Sequence, residues 1–502
     1  MNNRNSSGRD EDDGLFLGPP LLEQSPLRVR QQSGWRQRLL LYVVVIIAAL
    51  GGLLFGYDTA VISGAMLFLR VSFALNAWMQ EVTVSIALLG AAIGSLGGGK
   101  LSDMLGRRTT LRLTAGVFTL GTLCTALSMN WPMFLMLRFI VGLSIGATAS
   151  IVPVYISEIA PFRLRGVLVT FNQLALTIGI ALAYWVDLAF AGAHMGWPPM
   201  YAVTAFPGLA LLIGMLFTLE SPRWLASKGR WSESALVLER LCTFEEATQE
   251  WQTIRSSFAG RTTRGALREL LRPGLRVALL TGIGLAIFQQ VVGINTVIYY
   301  APTIFEYAGF TSATSAILAT SIVGVVNVLV TVLAGILIDR VGRRALLIGG
   351  TISMFITLVV LGVIFAIGPS QSGYLILLAL LGYVIAFAIS LGPVFWLMCA
   401  EIFPTHLRAT GASIATFANW SANLLVSLTF LSLINLIGKS FTFWVYAGMS
   451  VLALIFCVLF VPETRNKSLE QIEAYWLNGR KWEEKEVVAT GAIPNIKSRK
   501  YL

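Results

Sequence analysis

Twelve stretches of about 20 apolar residues, each closed by a short polar break, limit what this chain can fold into more than any other feature. About 20 helical residues rise about 30 Å, the depth of a bilayer's hydrocarbon core. Transmembrane barrels alternate apolar with polar residues, so these runs read as α-helices. Composition decides against a water-soluble reading: 56% hydrophobic and 13% charged residues leave too little polar surface to cover a globule of 502 residues. The spans fall at 40–69, 82–102, 111–129, 133–156, 168–190, 199–219, 276–300, 315–338, 345–367, 373–399, 410–436 and 441–461. The expected class is an all-α membrane protein with both termini on one side.

The formal charge of +11 is that of many nucleic-acid binders, but the basic residues form no patch interleaved with aromatics, so no nucleic-acid partner is expected. Lys and Arg gather instead in the N-terminal tail, in the loops after spans two, four, six, eight and ten, and at the C-terminus. The opposite loops offer only Arg70 and Lys439. The positive-inside rule therefore puts both termini and the central loop in the cytoplasm. Residues 1–38 read as a retained polar tail ahead of an uncleaved first anchor. Cys124, Cys242, Cys399 and Cys457 are far apart and form neither a disulfide framework nor a metal spacing. The chain has no nucleotide-binding glycine loop and only His194 and His406 as histidines. An enzyme, an ATP-driven pump and any cofactor are not expected.

The two halves repeat the same words in the same order. Gly97-Gly-Gly-Lys-Leu-Ser-Asp-Met-Leu-Gly-Arg-Arg108 returns as Ala334-Gly-Ile-Leu-Ile-Asp-Arg-Val-Gly-Arg-Arg344, with Asp103 and Asp339 offset by 339 − 103 = 236. Glu158-Ile-Ala-Pro-Phe-Arg-Leu-Arg165 returns as Glu401-Ile-Phe-Pro-Thr-His-Leu-Arg408, and Glu220 returns as Glu463, both offset by 243. The division that follows is a tail (1–38), a six-helix half (39–219), a linker with short helices (220–275), a second six-helix half (276–461) and a C-terminal tail (462–502). In the linker, Thr243 and Glu246 have capping-box spacing. A binding site near mid-membrane between the halves is the usual geometry of repeats of this kind. The repeated charges, Asp103, Arg107, Arg108, Glu158 and Arg165 with Asp339, Arg343, Arg344, Glu401 and Arg408, read as a breakable cytoplasmic latch. The plainer reading is that they only mark helix ends.

Inside the spans, two groups stand out. Gln289, Gln290 and Asn295 sit among apolar residues of the seventh span, and a helix broken near Gly293 turns them toward one cavity. Amides both donate and accept, as a sugar's hydroxyls do. They can also simply bond neighbouring helices. In the first span, Gly56-Tyr-Asp-Thr59 puts Asp58 among apolar neighbours, with Arg138 of the fourth span as its candidate partner. Such an intramembrane carboxylate is functional by default, against the alternative of a permanent structural ion pair.

Together these words resemble the sugar porter family of the major facilitator superfamily. The resemblance runs from about Leu40 to Tyr475 and rests on an ordered set: the two Gly-Arg-Arg turns, Glu220-Ser-Pro-Arg-Trp-Leu225, Gln289-Gln-Val-Val-Gly-Ile-Asn295, Pro462-Glu-Thr and Lys467-Ser-Leu-Glu470. It implies twelve helices in two pseudo-symmetric halves and sugar transport by alternating access. The family's pocket positions match Phe55, Gln173, Gln289, Gln290, Asn295, Tyr299, Asn327, Trp396, Asn419, Trp420 and Asn423. Trp396 is placed to stack on a sugar ring, and Tyr299 with Tyr300 stands where the family has an outer gate. Ile180 is apolar where some xylose-carrying members have a second glutamine, which points away from a strict pentose preference. Proton-coupled members carry aspartate at the Asp58 position, whereas facilitative members usually carry asparagine.

The resulting expectation is a monosaccharide importer, hexose first, driven by proton symport across the plasma (cell inner) membrane. Its partners are the sugar, the proton and the lipid bilayer, and the chain is taken as a monomer. The alternatives are a facilitative uniporter, a polyol or inositol transporter, and a membrane sugar sensor.

Overall fold

Glycines set how closely the first helices pack. Helix α1 (Gly34–Ser72) crosses α5 (Arg165–Gly192), and α2 (Ala77–Leu105) crosses α4 (Trp131–Ile159). In the first pair, a Cβ on Gly56 would lie 1.9 Å from the Leu176 carbonyl oxygen, and one on Gly179 would lie 2.2 Å from the Leu53 oxygen. In the second, Gly146 stands in the same way 1.9 Å from the Ala91 oxygen, and Gly94 stands 2.1 Å from the Leu143 oxygen. Helices in lipid associate through such small-residue contacts, because burying apolar surface gains nothing there. The substitution Gly146→Ala must push α2 and α4 apart. We expect it to cost about 1–3 kcal/mol of stability, seen as a lower melting temperature of the purified protein in detergent; an unchanged melting temperature would contradict this packing.

The computed structural model describes residues 34–162, 164–258, 269–368, 373–404, 407–465, 467 and 469–482. Most of the N-terminal tail, the end of the C-terminal tail and His406 lie outside the described residues. Helix α1 begins at Gly34, inside the range 1–38 read as the tail. The first half continues through α3 (Arg107–Ala126) and the pair α6 (Pro198–Val203) and α7 (Ala205–Phe217), which form one bent crossing. Among the described residues, three short helices follow: α8 (Pro222–Ser227), α9 (Trp231–Leu241) and α10 (Phe244–Phe258). Thr243 and Glu246 form the capping box of α10, the Thr243 amide donating to Glu246 at 3.1 Å.

The second half runs through α11 (Leu275–Val291) and α12 (Ile294–Tyr307), α13 (Ala313–Val341), α14 (Arg343–Ile367), α15 (Gly373–Ile389) and α16 (Leu391–Glu401), α17 (Arg408–Ile437) and α18 (Lys439–Phe460). A short helix, α19 (Leu469–Leu477), follows it. Spans seven and ten are thus each two helices, broken at Gly293 and at Ser390.

Among the described residues, eleven helical stretches are long and apolar enough to cross a membrane. The twelfth, α3, is less apolar because it carries three arginines and six threonines. Its threonine hydroxyls are satisfied within the helix, as when Thr110, Thr119 and Thr125 donate to the carbonyls of Gly106, Ala115 and Gly121 at 2.7–2.8 Å. A threonine bonded in this way costs little in lipid.

The repeated words form one structural unit twice over. Gly106 and Gly342 turn the chain with φ of +96° and +105°, a region that favours glycine. Glu220 then accepts the Arg107 and Arg108 amides at 2.9 and 3.1 Å, and Glu463 accepts those of Arg343 and Arg344 at 3.0 Å. Each carboxylate caps the N-terminus of the helix that follows, α3 or α14. A Cβ on either glycine would meet the same carboxylate, 2.4 Å from Glu220 and 2.7 Å from Glu463.

Candidate functional site

The break between α11 and α12 builds the centre of the site. Gly293 adopts a left-handed φ of +94°, and the Tyr446 ring packs where its side chain would be, 2.8 Å from the ideal Cβ. The break leaves Gln289 and Gln290 on the last turn of α11 and Asn295 on the first turn of α12. Gln290 donates to Gln289 Oε1 at 3.2 Å and to Asn419 Oδ1 at 3.1 Å, and accepts from Asn295 Nδ2 at 2.5 Å. Asn419 donates to Gln289 Oε1 at 2.5 Å, while Gln289 donates to the Leu391 and Gly392 carbonyls at 3.2 Å. The broken helices of spans seven and ten therefore meet at Gln289. Tyr299 and Asn423 bond each other, Asn423 Nδ2 donating to the Tyr299 hydroxyl at 3.1 Å.

These amides face a cavity of about 110 Å³, counted as space open to the centre of a water molecule. One water needs only about 10–15 Å³ of such space. Phe55, Gln173, Gln289, Gln290, Asn295, Tyr299, Asn327, Trp396, Asn419, Trp420 and Asn423 all line it, from both halves. Tyr300 does not. Its hydroxyl donates to the Ser427 carbonyl at 3.2 Å and its ring packs on Phe430. The sequence reading missed Thr59, Tyr184 and Thr331, which also line the cavity. Helical period was the available signal: Thr59 follows Phe55 by one turn, Thr331 follows Asn327 by one, and Tyr184 follows Gln173 by three.

Asp58 and Arg138 form a buried ion pair at 2.5 Å, each side chain 2% exposed. The Arg138 guanidinium also lies over the Tyr201 ring, 5.4 Å from its centre. Beside the pair is a void of about 10 Å³, the size of one water. Phe55, Thr59, Tyr299 and Trp420 line both this void and the large cavity. The Phe55 and Trp420 rings touch across the halves with centres 5.2 Å apart. A charge pair and an amide-lined cavity thus share one wall.

At the end opposite the Gly-Arg-Arg turns, two ties join the halves. Arg70 grips Glu306 with two bonds of 2.7 and 2.8 Å, linking α1 to α12. Glu81 of α2 accepts the Ser432 amide at 2.7 Å and its hydroxyl at 2.6 Å on α17. At the basic end, Arg107 pairs with Glu158 at 3.0 Å and Asp103 at 2.9 Å, and Arg343 pairs with Glu401 at 3.1 Å and Asp339 at 3.4 Å. Each of these pairs stays within one half. Trp396, in the cavity wall toward that end, keeps 38% of its surface exposed. The halves are thus tied together on the far side, while these charged pairs at the basic end do not cross between them.

Three residues of the expected latch take other partners. Arg108 and Arg344 give their guanidinium groups to backbone carbonyls, Leu216 and Val458 at 2.6 Å, because the helices they cap present free carbonyl ends there. Arg165 pairs with Glu250 of α10 at 2.9 Å, since α10 docks against the first half. Arg408 opens α17 at the position equivalent to Arg165. Glu220 and Glu463, read as repeat landmarks and within family words, belong to the same cluster.

Residues 44–476 match the family model described as "Sugar (and other) transporter". The chain belongs to the sugar transporter family. The transporter is 40% identical over 458 residues to the galactose-proton symporter of Escherichia coli K12, covering 90% of this chain and 98% of that one. It is also 40% identical over 437 residues to the arabinose-proton symporter of Bacillus subtilis, covering 86% and 94%. Among solved structures, the proton:xylose symporter XylE bound to 6-bromo-6-deoxy-D-glucose matches with 37% identity and a TM-score of 0.75, over 87% of this chain and 99% of that one. The same transporter of E. coli in a partially occluded inward-open state matches with the same TM-score. The fold is the major facilitator fold, a multi-pass membrane architecture of two six-helix halves.

Proposed function

We propose that this transporter imports a monosaccharide, a hexose first, together with a proton by alternating access. The observation that carries the reading is the shared wall: Phe55, Thr59, Tyr299 and Trp420 stand between the Asp58–Arg138 pair and the amide-lined cavity. The symporters of galactose, arabinose and xylose among its relatives support the same reading. Gln289, Gln290, Asn295, Asn419 and Asn423 would bind the sugar hydroxyls, with Gln173 and Asn327 reaching from the opposite wall. Trp396, Trp420 and Phe55 would cover its apolar faces. Ile180 lines the same cavity and adds no polar partner.

The transport cycle follows from the ion pair. Asp58 binds a proton while the transporter faces outward and releases it inward, where Arg138 stabilises the carboxylate. A 2.5 Å ion pair in a conformation whose halves are tied on the far side agrees with the inward, deprotonated state. Sugar in the cavity presses on the wall it shares with the pair, so each ligand senses the other. The basic end is cytoplasmic, with both termini there, and the membrane is the plasma (cell inner) membrane. The repeated charges act as a latch whose two units stiffen the cytoplasmic ends of the halves as those ends part. The chain works as a monomer in the lipid bilayer, needs no cofactor and catalyses no covalent step.

Uptake of labelled glucose, galactose, xylose and inositol into cells lacking their own transporters tests this. One sugar should accumulate, and a protonophore should reduce it to equilibrium. Uptake that only equilibrates and ignores the protonophore would make the transporter a facilitator.

A further inference from the structure

Asp58 is not the only carboxylate sunk in the first half. Asp187, on α5, is 0% exposed, and neither of its oxygens has a hydrogen-bond partner. Its side chain presses into α1 at Gly64, where a Cβ would stand 2.4 Å from Oδ2. Any residue larger than glycine there would expel it. Along α1, Gly64 is six residues outward of Asp58 and six inward of Arg70, about 9 Å from each at 1.5 Å per residue. Asp187 therefore lies midway between the ion pair and the far-end seal.

Tyrosines of three helices surround it. Asp187 interacts electrostatically with Tyr57 of α1, Tyr184 of α5 and Tyr201 of α6. Tyr201 in turn interacts with Asp58 and with Arg138 of α4. The hydroxyls of Tyr57 and Tyr201, like the oxygens of Asp187, are buried without a hydrogen-bond partner. Tyr184 is already committed, donating to the Ile298 carbonyl at 2.9 Å. From α13, which also packs on α5, Ser321 donates to the Tyr184 carbonyl at 3.2 Å. No cation therefore faces Asp187 directly from these helices. Buried polar atoms are normally satisfied, so several unsatisfied ones grouped beside the Asp58–Arg138 pair call for an explanation. A carboxylate with no side-chain donor and no cation against it, and only the Gly64 backbone beside it, is stable there with a proton on it.

We propose that Asp187 is a second proton-binding site, an outer station from which the transported proton reaches Asp58 by way of the Tyr57 and Tyr201 hydroxyls. When the far end opens, Asp187 takes a proton from outside water. Its O–H bond then breaks as the proton passes inward, the hydroxyls each accept one proton and give one up, and a new O–H bond forms on Asp58. Asp187 is left ionised and is reprotonated from outside. The inference rests on the proton-coupled reading above.

The test uses the full-length transporter in proteoliposomes under an imposed inward pH gradient. Asp187→Asn should slow the initial rate of uphill uptake by about tenfold or more. Sugar counterflow, which needs no net proton movement, should stay intact and serves as the folding control. The final accumulation should equal that of the unaltered protein, because a station changes rate and not stoichiometry. An unchanged initial rate would overturn the proposal. So would loss of accumulation itself, which would make Asp187 a coupling site and not a station. If Asp187→Asn does not fold, Tyr201→Phe carries the same test: slower gradient-driven uptake supports the path, and an unaltered rate refutes it. Failure of the pH gradient to drive the unaltered transporter would sink the proton-coupled reading instead, which separates the two.

Discussion

In cells carrying the Asp58→Asn transporter, sugar should rise to its outside concentration and no further, while exchange of internal for external sugar continues. One proton entering down about 100 mV carries about 2.3 kcal/mol, enough to concentrate a sugar about 50-fold. Without a group that gains and loses the proton, that factor falls to one. Asparagine keeps the size of aspartate and an oxygen for Arg138, which limits the damage to folding. It still leaves Arg138 buried without its counter-charge, and truncating one partner of a buried pair costs about 3–5 kcal/mol. The variant should therefore express at a lower level. Counterflow per folded molecule is the quantity to compare. Accumulation that survived the substitution would mean that Asp58 and Arg138 are a structural pair and that coupling lies elsewhere.

Gln290→Ala should raise the KM for the transported sugar by about 5- to 150-fold, the equivalent of about 1–3 kcal/mol for removing a buried hydrogen-bonding group. Gln290 is the hub of the amide network: it donates to Gln289 and Asn419 and accepts from Asn295. Its loss both removes a partner for the sugar and leaves Asn295 Nδ2 without its acceptor. Asn419 and Gln289 retain their bond at 2.5 Å, so the helices should still pack. Uptake rate against sugar concentration measures the effect. A KM equal to that of the unaltered protein would leave these amides as bonds between helices and nothing more.

The path from sequence to structure succeeded where a residue type carries a strong physical cost. Apolar length located the crossings, α3 among them, since its arginines cluster at the start, before the apolar run. The break at Gly293 was legible because a glycine between amides inside an apolar run has few other uses. Helix ends were not, since α1 begins at Gly34 and α12 continues to Tyr307, well beyond the lipid-depth runs that hydropathy detects. Glu220 and Glu463 were visible as repeats, but their work on backbone amides depends on the positive-φ turns at Gly106 and Gly342, which no side-chain pattern reveals. Tyr184 and Thr331 were recoverable from helical period. Asp187 was passed over because a carboxylate near the end of a span reads as a helix terminus; only its burial against Gly64 separates it from one. The closed far end could not have been read at all, because one sequence must encode both the open and the closed arrangement of Arg70, Glu306, Glu81 and Ser432.

The most direct test of proton coupling is to reconstitute the purified transporter in weakly buffered proteoliposomes and add sugar outside while recording external pH. The account predicts alkalinisation that begins with sugar entry, about one proton per sugar given a single coupling carboxylate, and that disappears in Asp58→Asn. Sugar entry with no change in external pH would contradict it.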